Sequence, residues 1–139
     1  MKKLLIILIA LSFLISCGKK EVKQVTYESK IAQEAFTVAE TIKEAYLKRN
    51  LSEIEKNSTK EGYRELLGAM KSFDRANLIF EPKWIEIGKS TVSLKIVWNG
   101  TWVVREQTSE ERGTAIFVFE GSPLKLSHIL QANPFRQPE

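Results

Sequence analysis

A single cysteine, Cys17, stands among the 139 residues, so no disulfide can close within the chain and stability has to come from a hydrophobic core. Histidine is equally scarce. His128 stands alone, which leaves almost nothing from which to build a zinc site with its usual nitrogen and sulfur ligands, and neither a metal nor a cofactor is expected. The only aspartate is Asp74. Long apolar runs are missing as well: Leu4 to Ile15, broken only by Ser12, would rise about 18 Å as a helix against a hydrocarbon core of roughly 30 Å. Nor is there a clustered basic face. The 21 Lys and Arg are interleaved with 17 acids for a formal charge of +4, which argues against a nucleic-acid partner.

What is present at the start is Met1-Lys2-Lys3 followed by that apolar stretch, the charged and apolar regions of an export signal. Its only alanine, Ala10, lies mid-run, so an ordinary small-residue cleavage site fits badly. Leu14-Ile15-Ser16-Cys17-Gly18 instead resembles the lipobox of bacterial lipoproteins. The resemblance implies a signal peptide over 1–16, cleavage between Ser16 and Cys17, and acylation of Cys17 with diacylglycerol and a further fatty chain. Membrane lipid is then one expected partner, because two or more acyl chains anchor stably where one does not. It also explains an odd cysteine in an exported chain. Gly18 after the cysteine resembles outer-membrane sorting, so the expected address is the cell envelope, on the periplasmic face of the outer membrane. Residues 17–25 read as the lipidated cysteine and a polar tether, and 26–139 as one domain of ordinary size.

Helical spacing opens the domain. Ile31, Ala35, Val38, Ile42, Ala45 and Tyr46 recur at three and four, predicting an amphipathic helix that stops near Asn50. Ser52-Glu53-Ile54-Glu55 and Ser58-Thr59-Lys60-Glu61 are capping boxes and predict two further helix starts, the later helix running to about Asp74-Arg75. After Asn77 the period becomes two. Strands are expected over 78–87, interrupted by Pro82 at an edge or bulge, over 92–99, over 114–120 and over 124–129, with Gly121-Ser122-Pro123 as a turn. Asn99-Gly100 has two readings: a hairpin turn, or, the one we favour, a bulge in a strand that continues to Glu106 before a turn within 107–113.

The expected fold class is α+β, N-terminal helices packed into a curved antiparallel sheet of about four strands. This order resembles the nuclear transport factor 2-like superfamily, a cystatin-like cone in which the sheet wraps the first helix. Ala45 to Leu51, Trp98-Asn99-Gly100-Thr101-Trp102, Gly113 to Glu120, and Leu124-Lys125-Leu126 running into Asn133-Pro134-Phe135 carry it. The chain departs in lacking a strand pair between its second and third helices. The superfamily holds isomerases, dehydratases, hydrolases and noncatalytic binding modules, so the site must decide.

Tyr63, Trp84, Trp98 and His128 are the candidate pocket. His128 falls in step with Leu124, Leu126 and Leu130 on the last strand, so it faces the cone if they do. Glu86, Glu106 and Glu120 read as solvated strand-end charges, and no residue is assigned as catalytic. Alternation also turns Val97, Ile116, Val118 and Ile129 outward as an apolar patch, the candidate face of a homodimer unless Pro134-Phe135-Arg136 folds back over it. The leading functional reading is a membrane-anchored, noncatalytic binding or assembly module whose partner is an envelope protein or a small apolar ligand. One alternative is a small-molecule enzyme with His128 as base; the other is a partner-binding lipoprotein with a filled core.

Overall fold

The computed structural model describes residues 23–138, so the expected signal peptide, Cys17 and most of the tether lie outside the described residues. Helix α1, Tyr27–Leu47, starts at Thr26, whose hydroxyl accepts the Ser29 N–H at 3.1 Å and satisfies a donor the first turn leaves free. Its buried stripe is Ala35, Val38, Ala39, Ile42, Ala45 and Tyr46, the predicted stripe with Ala39 added and Ile31 only half buried. Arg49 then takes a left-handed φ of 56° and lets the Asn50 N–H bond back to the Ala45 carbonyl at 2.8 Å, ending the helix.

Helix α2 is Leu51–Lys56 and helix α3 Lys60–Ala69. Both starts were legible but the first cap lies two residues early: Asn50, not Ser52, accepts the Glu53 N–H. The second cap is displaced by one residue the other way: Thr59, not Ser58, accepts the Gly62 N–H at 3.1 Å and caps α3. That helix stops at Ala69 rather than Asp74 because Met70 is already extended, which frees Phe73 to pack on the Tyr46 ring at 5.2 Å.

Four strands follow as a meander in the order β1-β2-β3-β4: β1 Arg75–Ile87, β2 Thr91–Val104, β3 Gln107–Glu120 and β4 Lys125–Gln131. Pro82 sits where expected, on an edge strand, and the register slips between Pro82 and Trp84. β2 does run on through Asn99-Gly100, but no register shift accompanies Gly100. Its glycine is required by space: a Cβ there would lie 2.2 Å from the Trp102 ring. The turn between β2 and β3 is Arg105-Glu106, with φ of 49° and 68°, tighter than the expected 107–113 and steadied by Asp74, whose Oδ2 accepts the Arg105 N–H at 2.7 Å. The single aspartate thus holds a turn.

The helices cover both the concave side and one edge of the sheet. A Cβ on Gly62 would lie 2.1 Å from the Leu126 carbonyl oxygen, so only glycine lets the start of α3 come this close to β4. The contact is sealed by Thr59 N–H to Leu126 O at 2.8 Å and Leu126 N–H to Asn57 O at 2.9 Å. These bonds, with Glu65 on the Ile129 N–H at 3.1 Å, occupy backbone groups that an open edge strand would offer to another chain.

Candidate functional site

The inner face of the sheet is assembled from rows of opposed residues. Phe80, Trp98 and Gly113 form one row, Ile85, Leu94, Phe117 and Ile129 another, and Ile87, Val92, Phe119 and Leu126 a third. Gly113 exists for Trp98, since a Cβ there would stand 2.8 Å from the indole. Trp98 and Trp102 meet edge to face at 6.4 Å, and each indole N–H is satisfied, Trp98 on the Ala132 carbonyl at 2.9 Å and Trp102 on the Tyr46 hydroxyl at 2.8 Å. Burial raises the Tyr46 pKa above its ordinary 10.0, against the smaller opposing influence of the Trp102 bond.

Residues after β4 complete this interior. Pro134 and Phe135 are fully buried, and the Phe135 ring packs on Tyr46 at 5.1 Å, Phe117 at 6.0 Å and Phe80 at 6.1 Å. The segment therefore enters the cone and does not lie over the outer face. The Phe135 N–H is held by the Asn133 side chain at 2.9 Å, and the Gln137 amide donates to the Ser72 carbonyl at 3.1 Å. Among the described residues the other buried polar side chains, besides the Tyr46 hydroxyl and the indoles, are Ser58, Ser127 and Gln137, and none of these three is ionisable.

The four candidate pocket residues do not converge. Trp98 is in the core, 1% exposed. Tyr63 is half buried at the margin of the core on α3. Trp84 pairs with Lys95 on the outer face and is 42% exposed. His128 also lies outside the cone, its Nδ1 3.4 Å from Glu65 Oε2. The reason is a bulge in β4. Phe119 pairs with Leu126 but Val118 pairs with His128, so Ser127 is an extra residue, its hydroxyl donating to the Val118 carbonyl at 3.0 Å. Past that point the alternation is inverted, because a one-residue slip exchanges the faces of every later side chain.

The same bulge corrects the outer patch. Val97, Ile116 and Val118 face outward as predicted, but Ile129 is turned inward and 7% exposed, and Leu130 takes its place at 50%. Trp84, Lys95, Ile116 and Leu130 then form a row across all four strands, with Val97 and Val118 flanking it and Ile79 further along β1, 51% exposed. Glu81, Glu86, Arg112 and His128 stand around this apolar centre.

No family model matches the sequence, and no curated protein does. A solved structure described as a nuclear transport factor 2 (NTF2-like) superfamily protein from Salmonella enterica subsp. enterica serovar Typhimurium str. LT2 is similar to it, with a TM-score of 0.62 at 16% sequence identity, covering 77% of this chain and 93% of that one. This is the NTF2-like fold. At such identity the likeness concerns architecture alone; the described residues form three helices and four strands, with the interior closed by Phe135. The inversion at Ser127 is the feature of this NTF2-like sheet that alternation missed. Its signal was present in the adjacent polar pair Ser127-His128, which breaks the apolar-polar rhythm of 124–126.

Proposed function

We propose that the chain is a cell-envelope lipoprotein, acylated at Cys17, whose NTF2-like domain is a noncatalytic binding and assembly module acting through the outer face of its sheet. The observation that carries this reading is the contrast between a cone filled by the chain's own Trp98, Trp102 and Phe135 and an outer face that exposes Ile79, Trp84 and Leu130. A contiguous apolar patch on a solvated sheet face usually marks an interface. The enzyme reading needs His128 among the cone residues beside a carboxylate, whereas His128 and Glu65 meet outside. A filled core with an external docking surface is the form of the binding reading the geometry supports best.

The partner we propose is a second copy, because a face on which apolar Trp84, Ile116 and Leu130 alternate with Lys95 and are flanked by Glu81 and Glu86 can complement itself under a two-fold axis. Two such sheets pack face to face at about 10 Å. Sedimentation of the detergent-solubilised chain should give a dimer that Val118→Lys converts to a monomer of unchanged fold; a wild type monomeric at high concentration sinks the dimer. Acylation is tested separately. Mass spectrometry of the mature N-terminus should find lipid on Cys17, and Cys17→Ser should leave precursor or released protein; an unmodified N-terminus elsewhere in the chain rules out the anchor.

A further inference from the structure

Outside the filled cone, α3, the ends of β3 and β4 and the segment 132–138 enclose a cleft of about 850 Å³. Its walls carry Arg64, Lys71 and Arg136 against Glu65 and Glu111. The acids are not equivalent. Glu65 already accepts the Ile129 N–H at 3.1 Å and stands 3.4 Å from His128, so its carboxylate is committed to the edge of β4. Among the described residues, by contrast, neither the Arg64 nor the Arg136 guanidinium has an ion-pair partner. In the same wall Gln137 is 6% exposed, and its amide donates to the Ser72 carbonyl at 3.1 Å, which pins the segment that carries Arg136.

We infer that this cleft is a binding site for a small solute bearing a carboxylate or phosphate group, with Arg64 and Arg136 as the recognising residues. Guanidinium groups are planar forks that match oxyanions two bonds at a time, and such charge-assisted bonds are the strong ones. Both line one cleft without an ion-pair partner among the described residues, so an oxyanion bridging them would supply the acceptors that their N–H groups lack. The site is built partly by the segment that fills the cone: Arg136 and Gln137 follow directly on Phe135, whose burial sets where they stand. Positioning and core packing are thus coupled through three consecutive residues. The inference does not depend on the lipid anchor or on the dimer.

Calorimetric titration of the full chain in detergent with citrate and, separately, with inorganic phosphate tests it, and the two probes distinguish a carboxylate from a phosphate ligand. At least one should bind. Arg64→Gln combined with Arg136→Gln should weaken that binding by roughly tenfold or more, the loss of one to two charge-assisted bonds, while leaving the ligand-free melting temperature in place. Glu111→Gln should tighten binding by removing a like charge, and added salt should weaken it. Absence of binding by both probes at millimolar concentration, a double variant that binds like wild type, or a Glu111→Gln variant that binds more weakly overturns the assignment.

Discussion

The two faces of the one sheet follow different rules. On the inner face every large side chain has a prepared place: Gly100 and Gly113 are bare so that Trp102 and Trp98 can lie across them, and each indole N–H finds an acceptor. On the outer face, Ile79, Trp84 and Leu130 are about half exposed and have no shaped recess in their own chain. Both faces are apolar, so hydrophobicity alone does not distinguish a core from a docking surface. Fit does, because interiors are packed to crystal-like density and a surface awaiting a partner is not.

Substituting a tryptophan on each face should break the comparison most strongly. Trp98→Ala is expected to cost about 3–5 kcal/mol, whereas Trp84→Ala should cost about 1 kcal/mol or less in the monomer, both read from urea unfolding. Equal losses would mean that the outer indole is also part of the core. Gly62→Ala tests the seam between α3 and β4. Forcing a methyl against the Leu126 carbonyl should destabilise by about 1–3 kcal/mol, and hydrogen exchange should quicken first at the Leu126 and Ile129 amides.

A comparable effect is expected of Tyr46→Phe, which leaves the Trp102 N–H buried without an acceptor at a cost of about 1–3 kcal/mol. It also has a pH signature. Because burial raises the Tyr46 pKa, the folded state holds the phenolic proton more tightly than the unfolded chain. The corresponding stability is fully present below pH 10 and is lost as pH rises through the folded value. Phenolate absorbance should therefore show one tyrosine titrating late, and Tyr46→Phe should abolish that late step. Least affected of all should be monomer stability in Val118→Lys, within about 0.5 kcal/mol, since it alters the outer face alone.

Much of the architecture could be read from residue order. The stripe of α1 predicted its buried face, alternation predicted β2, and Pro82 predicted an edge with a bulge, because each is a local signal with one dominant physical cause. The site was less legible. Trp98 does face the interior, but as core; Tyr63 and Trp84 were chosen as aromatics, and His128 on phase, which carries no information across a bulge. Trp84 was misplaced because one extra residue, Lys83, separates it from Pro82, and His128 because Ser127 does the same in β4. Arg64 and Arg136 gave no sequence signal at all: they are 72 positions apart and meet only where the segment after β4 turns back toward α3.

The extra residue at Ser127 also bears on how likenesses to this chain should be used. Strand facing is a matter of parity, odd or even, and a bulge adds one to the count. Two NTF2-like proteins that differ by a single inserted position in the last strand can align a histidine in the same column while one presents it to the cone and the other to solvent. At 16% identity such a gap is easily placed one residue astray, and an active-site assignment transferred through that column would reverse its meaning. For this strand, the column to trust is the one whose backbone pairing is known, Phe119 with Leu126 before the insertion and Val118 with His128 after it.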